Sequence, residues 1–119
     1  MMRQSVLKTK SYEFAVRMVR LCYFLQENKR EYIISKQIIR SGTSVGASIR
    51  EAEFAQSNLD YIHKFSISLK EANETQYWLD LLKDSDFLEY NMYESLNSDC
   101  KEIISMLVTT IKTLKAKKS

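Results

Sequence analysis

Across 119 residues the chain contains no proline and only two glycines, Gly42 and Gly46. These two residue types supply most of the turns and breaks in a folded chain. A sequence almost without them must run in long, uninterrupted elements with few bends, which favours helices. The length fits one domain, 1–119, and allows roughly two-thirds of the unfolded surface to be buried, enough for a core without staples.

The apolar residues recur at helical spacing. Phe14, Met18, Leu21, Cys22 and Leu25 share one face of a first helix over about 8–27, closed by the polar turn Asn28-Lys29-Arg30. Ile34, Ile38, Val45, Ile49 and Ala52 line a second over 31–55. A third, over 58–83, begins at Ser57, with Asp60 three residues on as an acidic capping box, and carries Ile62, Phe65, Leu69, Ala72, Gln76 and Leu79. Asp84-Ser85-Asp86 breaks the pattern, and Asn91 with Glu94 marks a second N-cap. The last helix, 92–116, shows Leu96, Cys100, Ile103, Leu107, Ile111 and Leu114, widened by Ile104 and Val108. Four amphipathic helices on short connections predict an all-α fold, an antiparallel up-down-up-down four-helix bundle.

Charge is segregated along the chain. Residues 1–50 hold ten Lys/Arg against three Asp/Glu, residues 51–111 hold four against twelve, and residues 112–119 add four lysines. Bundle topology gathers Arg3, Lys8, Lys10, Arg50, Lys112, Lys115, Lys117 and Lys118 at one end, beside an acidic flank. Blocks of this kind bias how a protein meets charged partners, including copies of itself. The opening residues lack the apolar stretch of a signal peptide, and no run approaches the ~18 apolar residues of a membrane span. A cytoplasmic protein is expected. Cys22 and Cys100 fall on apolar stripes and read as buried free thiols, with a disulfide the alternative suited to a secreted chain.

The small residues from Ser41 to Ser48 are unusual inside a helix, where each glycine costs about 1 kcal/mol against alanine. Gly42 and Gly46 lie four apart on one face, and with Ala47 they predict close approach of a neighbouring helix. A phosphate loop would need lysine and a hydroxyl residue directly after the second glycine, where Ala47 and Ser48 stand.

Catalytic chemistry is not expected. His63 is the only histidine, beside Lys64 on a surface of the third helix, and no nucleophile is marked nearby. Glu71 and Glu74 are not accompanied by the Glu-x-x-His pairs of di-iron bundles. Two separated cysteines and one histidine cannot form a structural zinc site. No cofactor or metal is therefore expected. The aromatics, seven Tyr, five Phe and Trp78, are plentiful. Tyr61, Tyr77 and Trp78 are candidates for an interface between copies, since adjacent helical positions point in different directions and such residues are enriched at interfaces. The alternative is packing at the bundle's own helix junctions.

The stretch from Ser35 to Ala52, SKQIIRSGTSVGASIREA, resembles the signature of small bacterial four-helix bundle proteins, also called 23S ribosomal-RNA intervening-sequence proteins. The runs Asp60–Phe65 and Leu69–Leu79 match that family in order and spacing, and the resemblance covers nearly the whole chain. It implies a four-helix bundle assembled as a homo-oligomeric ring, usually a pentamer. A related branch, the accessory variability determinant of diversity-generating retroelements, binds nucleic acid and a reverse transcriptase through basic surfaces. Ser48 stands where the family often has asparagine. The shared polar pattern at Glu51, Glu71, Glu74 and Trp78 suggests ion pairs between helices, with Arg40 or Arg50 as partner.

The resulting expectation is a non-enzymatic homo-oligomeric adaptor that binds RNA or DNA through phosphates with weak sequence specificity. Candidate contacts are Lys8, Lys10, Arg17, Arg20, Lys112, Lys115, Lys117 and Lys118. The alternative is a protein–protein scaffold that never touches nucleic acid, consistent with a net charge of only +3.

Overall fold

Leu7, Phe14, Met18, Leu21 and Leu25 recur every three to seven residues and are all buried along one side of helix α1, Met2–Asn28. The structure, a computed structural model, describes residues 2–118, with side chains described for residues 4–117. α1 begins six residues before the expected Lys8, because Leu7 carries the apolar stripe into an additional turn.

The chain leaves α1 through Arg30, whose backbone is left-handed (φ 53°). The amides of Lys29 and Glu31 both donate to the Leu25 carbonyl, at 3.1 and 3.0 Å. Helix α2 spans Ile34–Glu51 and starts later than Glu31, since Glu31 caps the helix from outside it. Its buried carboxylate accepts from the amides of Ile33 (3.1 Å), Ile34 (2.8 Å) and Ser35 (2.7 Å). Three of the orphan donors at a helix start are thereby satisfied by one side chain. α2 tightens into a 3₁₀ turn at Ala52–Phe54 and stops at Ala55, which is extended (ψ 144°).

Helix α3 spans Asn58–Asp84. Ser57 caps it by accepting from the Asp60 amide at 3.0 Å. The Asp60 carboxylate reaches back to the Gln56 amide (3.2 Å), one residue further out than a reciprocal capping box would place it. At the other end the amide of Phe87 donates to Leu82 O (2.9 Å) and that of Asp86 to Lys83 O (3.1 Å), with Asp86 left-handed (φ 66°). This is a Schellman closure with aspartate where glycine is usual. Asp86→Gly is therefore expected to raise stability by about 0.5–1 kcal/mol, since it removes the side-chain penalty of the left-handed region. An unmoved urea midpoint would count against that account.

Helix α4 spans Tyr90–Lys118 and starts before Asn91, which lies in its first turn and is not its cap. The Tyr93 amide instead finds the Glu89 carbonyl at 3.0 Å.

The helices pack as a four-helix bundle measuring 49 × 22 × 19 Å, α1 against α2, α2 against α3, α3 against α4 and α4 against α1. The α1–α4 seam is the sparsest of the four. Phe14, Met18, Leu25, Ile38, Phe65, Leu79, Leu82 and Leu107 fill the centre. At the α1–α2 seam a Cβ on Gly42 would lie inside the Met18 side chain, 2.7 Å from its Sδ. One on Gly46 would lie 3.2 Å from the Ser11 carbonyl oxygen. Ala47, expected in the same contact, is instead exposed.

Several polar atoms inside the bundle are partnered across helices, whereas the buried Thr110 hydroxyl has no partner among the described residues. Ser68 donates to the Val45 carbonyl (2.7 Å), and the Thr75 hydroxyl meets Ser41 Oγ at 2.9 Å. Cys22 and Cys100 are buried free thiols. Burial, with Asp80 and Asp99 nearby, pushes the Cys100 thiol up to about 12, and its Sγ lies 3.4 Å from the Ala72 carbonyl. Tyr93 is likewise raised to about 12, first by its hydrogen bond to Asp80 (2.5 Å) and then by burial.

Candidate nucleic-acid interface

Antiparallel packing decides which cations remain available to a ligand. Along α1, Lys8 is paired with Glu53. Lys10 meets Glu102 at 3.1 Å, and Arg17 meets Asp99 at 2.6 Å while also reaching Ser95 Oγ at 2.9 Å. Three of the candidate phosphate contacts are thus engaged by carboxylates of the same chain. They fasten α1 to α4 and to the 3₁₀ turn. Each pair is largely solvated and contributes at most about 1 kcal/mol to stability. Arg20 is exposed on the α1–α4 seam beside Phe24, Leu96 and Met92 of the first turn of α4, toward the end of the bundle opposite the α4 lysines.

Lys112, Lys115 and Lys117 differ from the paired cations Lys8, Lys10 and Arg17. All three are exposed on the last turns of α4 and have no carboxylate partner among the described residues. Lys117 lies beside Asn58, Tyr61 and Leu114, which places the end of α4 against the start of α3. The side chains of Arg3 and Lys118 fall outside the described residues.

Between α2 and α3 the expected ion pairs involve one of the two arginines. Arg40 meets Glu71 at 3.3 Å and also pairs with Glu74, whose carboxylate accepts from Trp78 Nε1 at 3.0 Å. Arg50 has no such role. Its guanidinium stands 5.6 Å from the centre of the Tyr12 ring, on the opposite side of α2. Trp78 is half-buried, and exposed Tyr77 packs edge-on against it at 5.0 Å, so the neighbouring rings meet instead of diverging. Tyr61 is half-buried against Phe65 (5.0 Å), and burial raises its hydroxyl.

A groove without a direct signal in the sequence runs between α1 and α2. Its volume is about 440 Å³, its floor is made of Ala15, Gly46 and Ala47, and Tyr12, Arg50 and Phe54 form its walls. Phe54 is 81% exposed and Tyr12 58%. The floor is open because Gly46 and two alanines carry almost no side chain there. His63 is exposed, and among the described residues no three His, Cys, Asp or Glu side chains converge as metal ligands. No helix of the described residues is long and apolar enough to cross a membrane.

A family model described as 23S rRNA-intervening sequence protein matches residues 3–109. The chain belongs to this family. A solved structure from Bacteroides thetaiotaomicron, described as a protein of unknown function from the S23 ribosomal protein family, is 54% identical. The match covers 92% of this chain and 98% of that one, with a TM-score of 0.91. Comparison with curated proteins gave no match. In this intervening-sequence family member, the segment that carried the resemblance spans α2 and the turn after it. Its glycines set the α1–α2 approach, and Arg50 beyond them faces the groove.

Proposed function

We propose that this intervening-sequence protein is a cytoplasmic, non-enzymatic adaptor that assembles as a homo-oligomer, a pentamer by family likeness, and binds RNA or DNA through the lysine-rich end of α4. The observation that carries this reading is the contrast between the two sets of cations. Lys8, Lys10 and Arg17 on α1 are compensated by Glu53, Glu102 and Asp99, whereas Lys112, Lys115 and Lys117 stand in solvent without a carboxylate partner among the described residues and, unlike exposed Arg20, share one end of the bundle. Uncompensated lysines at one end attract phosphates regardless of base sequence, and repetition in an oligomer multiplies their field. The family name supports a link to ribosomal RNA. Within the proposal, the α4 lysines replace Lys8, Lys10 and Arg17 as principal contacts.

The test is fluorescence anisotropy of a labelled RNA and a DNA duplex across a salt series. Lys112→Glu, Lys115→Glu and Lys117→Glu together should abolish binding at moderate salt. Singly, each should reduce the slope of log affinity against log salt by about 1. Binding that survives the triple reversal would sink the assignment. A protein-binding scaffold is the second reading, favoured at the opposite end by exposed Ile33 (78%) and Tyr32 in the α1–α2 turn and Tyr90 at the start of α4. It anticipates no effect of the lysine reversals on partner binding.

A further inference from the structure

We propose that the α1–α2 groove and the lysine-bearing end of the bundle form one continuous track for single-stranded nucleic acid, with unpaired bases stacking on Phe54 and Tyr12. This rests on the nucleic-acid reading above and specifies the form of ligand and the residues that distinguish it.

Three observations support the track. Phe54 and Tyr12 are large flat rings, both exposed and both lining a groove whose other residues include Ala15, Gly46 and Ala47, so an unpaired base can reach them there. The charge of the rim favours an anion. Glu51 is taken up by Lys64 (3.2 Å) and Glu53 by Lys8, which among the described residues leaves Arg50 as the uncompensated charge of the groove. The hollows are also contiguous. Lys8 walls both the groove and the next depression, which contains Tyr61, and Tyr61 in turn walls the one that reaches Lys117. Rings and cations therefore alternate from Tyr12 to Lys117.

This pattern suits a strand whose bases are free. Every base has a face for an aromatic ring, and stacking combined with a basic path binds single strands with little sequence preference. A duplex keeps its bases inside the stack, so it could use the lysines and not the rings. The cations at both ends of the track, with the carboxylates between them already paired, fit a polyanion.

The experiment compares a labelled single-stranded oligouridylate of about 12 nucleotides with a duplex of equal length, titrated with the full chain. Phe54→Ala and Tyr12→Ala should each weaken single-strand binding about 5- to 100-fold at unchanged salt slope. Duplex binding should not change. Phe54→Tyr, which keeps a ring, should retain affinity, and circular dichroism should show intact helices throughout. Equal losses on both ligands, or no loss on the single strand, would overturn the track and leave the phosphate reading standing. Failure of the wild-type chain to bind either ligand at low salt would overturn both. If light scattering shows that the ring variants change subunit number and leave single-strand affinity intact, the groove is a contact between copies and the proposal falls.

Discussion

Gly42→Val should lower the stability of the bundle by about 2–4 kcal/mol, more than the usual 1–3 kcal/mol of an overpacked core. Even the first added carbon overlaps the Met18 side chain, which is fully buried. Alanine at this position gains about 1 kcal/mol of helix propensity, so Gly42→Ala measures the clash net of that gain and should still be destabilising. Urea unfolding provides the measurement. Met18→Ala should lose much of its own cost in the Gly42→Ala background, with a coupling of about 0.5–3 kcal/mol. Additive losses would show that the two residues do not share the same space. Gly46→Ala should be milder, because its nearest neighbour is the Ser11 backbone at 3.2 Å, ordinary contact but for a few tenths of an ångström.

Glu31→Ala is the second large effect. One carboxylate satisfies three amides at the start of α2 while itself buried, with only 7% of its surface exposed. An ordinary cap contributes about 0.5–2 kcal/mol, and hydrogen bonds to a charged group are stronger, about 1.5–3 kcal/mol. A loss of about 2–3 kcal/mol is expected on that basis. Glu31→Gln keeps an acceptor oxygen and should recover part of it. If Glu31→Ala unfolds at the wild-type urea concentration, the carboxylate is not the cap that holds the turn.

The stripes were legible because helix burial has a 3.6-residue period that a one-dimensional reading detects directly. Phe14, Met18, Phe65, Leu79, Cys100 and Leu107 all lie inside the bundle as their spacing predicted. Glu31 was not legible as a cap. It stands three residues outside the helix, and a glutamate there looks like a first-turn acid unless the left-handed turn at Arg30 is known. Asn91 misled for the complementary reason. A residue with cap chemistry was present, yet the helix begins at Tyr90, where packing of Leu88 and Tyr93 continues the core.

The candidate interface divides in the same way. Counting lysines along the chain located the basic end, but not which cations were already engaged. Lys8 finds Glu53 and Lys10 finds Glu102, partners 45 and 92 residues away that only the fold brings together. The groove was hidden because it consists of missing side chains. In sequence Gly46 and Ala47 look like packing residues, and Gly46 serves both purposes, facing Ser11 while lying in the groove floor.

The unequal seams carry a kinetic consequence. The three richer seams each join helices consecutive in the chain, so each can form as a hairpin closing only a short loop. The sparse α1–α4 seam alone must bring the first and last helices together. Loop closure grows slowly with length and local contacts speed folding. The chain is therefore suited to zip from hairpin to hairpin, with the docking of α4 on α1 as the final step and its release as the first step of unfolding. The helix that carries Lys112, Lys115 and Lys117 would then be the last of the four to join during synthesis, when α1 to α3 already offer a template for it.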